Sequence, residues 1–235
     1  MEKSSKIAVF TNAVLLFLVA AVGVICFFPF GASPAGNISE RVYYGGSGEN
    51  GRVSLMFNVY GGEEYLPQIF DTLNGFEVKA TFFVGGCWAD DHTESVREIV
   101  SRGHELGNHG YFHKDQDKLS LAANRQEISL CGDLVRSLTG VTMTLFAPPS
   151  GAYSENTVNA AEALGYKVIM WSKDTIDWRD HDVSVIYRRA TEDAEAGDLV
   201  LMHPTKETAE ALPSVLAYYK EQGLLQSTVS ATLGF

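Results

Sequence analysis

His109 and His113, in the run NHGYFH, stand four residues apart, a spacing that lets two imidazoles turn toward one divalent ion when the segment is helical or tightly turned. Exposed or structural histidines share that spacing. His203 follows the apolar run LVLM, where a titratable group is costly unless it is paired or functional. Asp174 and Asp177, in WSKDTIDW, each offer a carboxylate that would orient His203 as a general acid, and each also suits turn chemistry. Asn58, Glu63 and Glu64 come at the end of another apolar run. Glu64 is the preferred third metal ligand, giving a two-histidine, one-carboxylate site with positions left open for water. A helix N-terminus, where acidic residues are favoured, accounts for the same two glutamates.

These side chains need elements to gather them. From Val53 onward, short apolar runs alternate with longer amphipathic stretches, the rhythm of parallel β/α units. The strand candidates are 53–59, 80–84, 104–108, 144–147, 167–171, 198–202 and 226–229. Between them apolar residues recur at helical spacing, as in Leu66, Ile69, Phe70 and Leu73, or Ile128, Cys131, Leu134, Val135 and Leu138. Ser120 and Ser154 are expected N-caps, and Gly140 and Gly165 fall where helices would end. About seven parallel strands predict a distorted (β/α) barrel, a fold in which chemistry collects at the carboxyl ends of the strands. Asn58 lies near the end of the first predicted strand and His109, His113, Asp174, Asp177, Trp178 and His203 follow others, so one mouth would collect them.

Residues 7–30 are almost wholly apolar, and at about 1.5 Å rise per residue they are long enough for a bilayer core of about 30 Å. Lys3 and Lys6 precede them, so the positive-inside tendency keeps residues 1–6 in the cytoplasm and sends the rest across. The stretch exceeds the usual signal-peptide core of about 7 to 15 residues, which favours an uncleaved single-pass anchor in the cell membrane over a secreted form. Residues 31–51 have a flexible linker's composition, and residues 52–235 form one domain outside the cytoplasm.

The formal net charge is -11; Glu2, Lys3 and Lys6 contribute +1, leaving -12 beyond residue 30. Such a chain is a poor partner for nucleic acid, which needs clustered Lys and Arg. A neutral or amino-bearing polymer suits it better. Cys87 and Cys131 lack the spacing of a zinc or redox motif, and both a disulfide between them and two buried free thiols agree with the sequence.

Taken in order, FNVYGGEE, NHGYFH, FAPPSG, DTIDW and LMH resemble the motifs of the polysaccharide deacetylase, or NodB-homology, family over residues 50–230. The first of them resembles sporulation-associated members. The resemblance implies a hydrolase that removes N-acetyl groups from peptidoglycan or spore-cortex amino sugars with a divalent metal, zinc or cobalt. His109, His113 and Glu64 would hold the ion. His203 would be the acid, Asp174 its orienting partner, and Asn58 would stand at the catalytic base position. Asp177, Trp178 and Pro149 would line the sugar site.

The chain departs from this pattern at two motifs. The family's paired aspartates after phenylalanine are Asn58 and Val59 here, and an arginine and a tyrosine flanking two prolines are Ala147 and Ser150. An amide is no base at neutral pH and valine ligates nothing. The arginine pairs with the base aspartate in the family, so losing both strands no buried charge. The alternative expectation is therefore an inactive homologue that binds wall glycan or a partner as a scaffold.

Overall fold

The computed structural model describes residues 38–235. The expected tail 1–6, span 7–30 and first part of the linker lie outside the described residues, and among the described residues no helix is long and apolar enough to cross a membrane. Nine strands are described: β1 (Val42–Tyr43), β2 (Arg52–Val59), β3 (Thr81–Val84), β4 (Glu105–Asn108), β5 (Leu145–Phe146), β6 (Lys167–Ile169), β7 (Lys173–Asp174), β8 (Leu199–Met202) and β9 (Leu225–Ser227). The helices are α1 (Leu66–Gly75), α2 (Gly86–Asp91), α3 (Thr93–Ser101), α4 (Leu121–Thr139), α5 (Glu155–Ala163), α6 (Asp177–Asp180), α7 (Val183–Thr191), α8 (Lys206–Glu221) and α9 (Val229–Leu233).

The strands form one parallel sheet in the order β1-β6-β5-β4-β3-β2-β8-β7, with β9 added beside β2. The sheet curls because one stretch of chain serves both of its ends. Residues 167–169 pair with β5 and β1, whereas 173–174 pair with β8, and Ser172 between them donates its backbone N–H to Leu199 O at 3.0 Å. The result is a curled half-barrel of parallel strands wrapped by helices. All seven expected strands are present, joined by β1 and β7, which are too short to leave a hydrophobic signature.

The linker boundary needs correction. Residues 38–41 form a 3-10 turn and β1 adds to the sheet edge at β6, with Val42 buried. Gly45 then bridges Asp198, and Gly46 donates to Gly197 O at 2.8 Å. Their closeness needs glycine, since a Cβ on Gly46 would meet Thr232 O at 2.6 Å. Polar, glycine-rich composition here reflects close backbone packing, not a free spacer.

Val53, Leu55, Phe57 and Val59 of β2 pack with Ile69, Phe70 and Leu73 of α1 and Leu212, Val215 and Leu216 of α8 in the largest apolar cluster, on the helix side of the sheet. A second cluster fills the curl with Met56, Phe83, Leu145, Ala147, Ile169, Leu199 and Leu201. Caps stop the helices as expected: Ser120 accepts from the Ala123 N–H, Ser154 and Thr157 form a capping box, and Gly140 ends α4 with φ 76°. Gly165 lies one residue beyond the C-cap of α5. Cys87 and Cys131 are free thiols, and Cys131, buried, points its Sγ at Val84 O from 3.3 Å.

His104, a buried member of this core, stacks on Phe70 and accepts the Ala80 N–H on Nδ1 at 3.3 Å. Burial, with Lys79 and Arg102 nearby, lowers its pKa from 6.5 to about 4. The unfolded chain therefore binds a proton that the fold does not, between about pH 6.5 and 4, so acidification through that window destabilises the native state. In urea unfolding at pH 7 and pH 5, we expect His104→Gln to lose less stability on acidification than the wild type. An equal loss in both would remove His104 as a source of acid sensitivity.

Candidate functional site

Strand alternation decides which side chains reach the mouth. With the odd positions of β2 on the helix side, Ser54, Met56 and Asn58 face inward. They form three levels. Ser54 Oγ donates to Thr232 Oγ1 at 2.6 Å at the bottom, Met56 joins the apolar interior, and Asn58 stands at the top. The same parity carries β4 through Gly107 to His109 and β8 through Leu199 and Leu201 to His203. At Gly107 a Cβ would lie 2.3 Å from the Phe83 ring, so glycine is required on that inner wall.

Asn58, His109, His113, Asp174, Trp178 and His203 line one cavity of about 430 Å³, with Tyr60, Ser150 and Trp171 completing much of its wall. An adjoining cavity of about 510 Å³ shares Asn58, Tyr60, Trp178 and His203 and extends along Pro204–Glu207. The sequence therefore located the mouth correctly, but several placements within it differ from expectation.

Asp177, not Asp174, holds His203. Its carboxylate is fully buried and accepts four hydrogen bonds: from the His203 backbone N–H (2.6 Å), His203 Nδ1–H (2.7 Å), the Thr208 hydroxyl (2.6 Å) and the Trp178 N–H (2.9 Å). With Nδ1 donating to the carboxylate, Nε2 is the His203 nitrogen left for the cleft. Asp177 is accordingly no sugar contact. Asp174, half-buried, lines the cavity and accepts the Ile176 N–H at 2.8 Å in a local turn. The sequence left both aspartates open because three residues across a left-handed turn do not fix direction; Ile176 has φ 51°.

His109 and His113 do come together, with ring centroids 5.1 Å apart. His109 donates Nδ1–H to Ala147 O at 2.7 Å, which fixes its tautomer and leaves Nε2 as an acceptor. Burial, reinforced by the neighbouring His113, pushes the His109 pKa down to about 3, and burial also lowers that of His113. Both rings are therefore neutral near pH 7. Their loop is held from α4 by Glu127, a residue that sequence reasoning missed. Glu127 is buried, accepts the N–H groups of Tyr111 (3.1 Å) and Phe112 (2.8 Å), and pairs with Lys114 at 3.0 Å. A glutamate at a core-facing helical position was the available signal.

The expected third ligand is not with them. Glu64 is exposed on the 3-10 turn 63–65, Glu63 pairs with His92 at 3.4 Å, and among the described residues no three His, Cys, Asp or Glu are grouped to hold an ion. Asn58 is buried at the mouth and its Oδ1 has no partner among the described residues. Among the described residues only His109 and His113 stand together as ligands, one short of the three protein ligands of a catalytic zinc site, so these residues do not fit a catalytic zinc or cobalt. Pro149 is buried beside Gly110 instead of facing the cleft, and Ser150 lines it in its place. Trp178 is 56% exposed at the rim of the cleft.

Strain collects around this mouth. His113 (φ 53°), Ser150 (φ 55°), Ile176 (φ 51°) and His181 (φ 46°) all adopt left-handed backbone, at a cost of order 1–3 kcal/mol each. Ile176 is the most telling, since a β-branched side chain crowds that region. Arg189 helps to hold the turn, donating to Thr175 O at 2.9 Å and pairing with Asp180 at 2.6 Å.

A family model described as polysaccharide deacetylase matches residues 45–169. The uncharacterized protein YlxY of Bacillus subtilis is 34% identical over 194 residues, covering 83% of this chain and 61% of that protein. The peptidoglycan-N-acetylglucosamine deacetylase PgdA of Listeria monocytogenes is 32% identical over 186 residues, 79% of this chain and 39% of the relative. Among solved structures, BA3943, a CE4 family pseudoenzyme from Bacillus anthracis, superposes with a TM-score of 0.80 at 35% identity, covering 82% of this chain and 68% of that one. A mutant of it, described as having restored enzymatic activity, gives a TM-score of 0.80 at 33% identity over 82% and 71% of the two chains.

The two aspartates separate experimentally. In Asp177→Asn an amide nitrogen meets buried donors, so we expect a loss of about 1–3 kcal/mol in urea unfolding, whereas Asp174→Asn keeps its turn acceptor and loses little. Equal losses would contradict the assignment of Asp177 as the support of His203.

Proposed function

Since the chain belongs to the polysaccharide deacetylase family, we propose that it is a member that holds cell-wall glycan in its cleft without hydrolysing it. Asn58 carries this reading. It occupies the inward position at the top of β2 where the resemblance places a carboxylate base, it is buried, and its Oδ1 is unpaired among the described residues. An amide there cannot take a proton from water at neutral pH. A buried acceptor without a partner costs about 1–3 kcal/mol, which a hydroxyl or acetamido N–H of a sugar would offset.

Three further observations support the reading. Deacetylases of this family are generally metal dependent, and the residues here lack the donor set for the ion. The similarity to a structure described as a pseudoenzyme points the same way. Left-handed backbone at His113, Ser150, Ile176 and His181 around the mouth is a local strain of the kind that clusters at ligand-binding sites. The substrate class is drawn from relatives described as peptidoglycan deacetylases, such as PgdA, of which this chain spans 39%; it spans 61% of YlxY. We further propose that residues 7–30 anchor the chain in the cell membrane with its cleft facing the wall, on the strength of their length and apolar composition.

A hydrolytic reading draws on the intact His203–Asp177 pair, which is the arrangement an acid needs to protonate a departing sugar amine. The test is acetate release from acetylated peptidoglycan by the full chain, with zinc or cobalt added. We expect no release above that of buffer, together with retention of the protein on the insoluble glycan. Metal-dependent release that disappears in His109→Ala would overturn the non-hydrolytic reading.

A further inference from the structure

Tyr60, the first residue beyond β2, is 44% exposed and lines both cavities of the cleft. The position is unlike an ordinary surface tyrosine. Its ring stacks on His113 with centroids 4.5 Å apart and an interplanar angle of 30°. It also rests against Gly85, where an added Cβ would stand 2.5 Å from the tyrosine Cδ2. Glycine at position 85 thus makes room for the ring, and the imidazole fixes its tilt. An aromatic surface held this way loses little freedom on meeting a ligand.

Building on the glycan-binding reading, we propose that Tyr60 is a sugar-stacking and specificity-determining residue, over which an oligosaccharide passes from the lobe at His109 into the lobe at Thr205–Glu207. Both lobes share Asn58, Tyr60, Trp178 and His203, so these four residues form the saddle between them. Two exposed rings beside amide, imidazole and hydroxyl groups match a pyranose, with an apolar face for stacking and a periphery of donors and acceptors. A nucleobase also stacks, but its phosphates need basic residues. Lys206 is the one Lys or Arg lining either lobe among the described residues, and the chain carries a net charge of -11. Each lobe, about 430 and 510 Å³, is roomy enough for a sugar ring, so the cleft has room for an oligomer.

The experiment is calorimetric titration of the full chain with tetra-N-acetylchitotetraose and with N-acetylglucosamine. We expect the tetramer to bind more tightly than the monomer, Tyr60→Ala to weaken the tetramer about tenfold, and Tyr60→Phe to retain affinity. Tyr44→Ala, an exposed tyrosine outside both linings, should leave binding unchanged. If Tyr60→Ala fails to fold, Tyr60→Leu keeps bulk against Gly85 and gives the same reading. Tetramer affinity unchanged by loss of the ring would overturn the role of Tyr60 and leave glycan binding standing. A wild-type chain that binds no tetramer would overturn both.

Discussion

The buried carboxylate of Asp177 organises the mouth of this protein. Its four donors come from three elements: the end of β8 at His203, the first turns of α8 at Thr208, and α6 at Trp178. A carboxylate removed from water is costly unless its lone pairs are filled, and here they are filled by two backbone N–H groups, a hydroxyl and an imidazole. The pair with His203 is therefore part of the architecture as well as a chemical dyad. It therefore has a structural reason to stand beside the amide of Asn58. Removing it would leave unpaired donors at the junction of three elements, whatever the cleft is used for.

A second constraint is the parity of the inward strands. On β2 the inward positions run from a polar foot through an apolar middle to a polar head, Ser54, Met56 and Asn58, and His109 and His203 are the heads of β4 and β8. The apolar middle keeps water out of the curl, so the heads sit on a dry floor. His109 is buried there, which is why its imidazole is held neutral. Substitution at a head leaves the floor undisturbed. Catalytic residues can thus be exchanged while the cleft keeps its shape.

Strand positions were legible because apolar runs bounded by turns report burial directly, and the seven runs became seven strands. Caps were legible for the same local reason. What escaped was direction across turns. Asp174 and Asp177 are separated by a residue in left-handed backbone, and no periodicity says which carboxylate turns inward. Glu64 was read as a ligand from its nearness in sequence, but it stands on a 3-10 turn whose geometry follows from Gly62, at φ 76°, packed onto Pro204. Tyr60 passed unnoticed because a tyrosine after a strand looks like core. Its exposure depends on Gly85 and His113, which are distant in sequence.

The substitutions at motifs one and three belong together physically. Ala147 is fully buried on the inner wall, and its carbonyl accepts His109 Nδ1–H, so the backbone still performs its part after the side chain has shrunk. Had the arginine remained opposite an amide, a buried cation would have lost its counter-charge, at a cost of about 3–5 kcal/mol. Losing both leaves a neutral pair of imidazoles and a neutral amide, a set stable without an ion. The energetics therefore allow these three neutral groups to sit beneath Tyr60 and Trp178, with Asp174 as the carboxylate lining the same cavity.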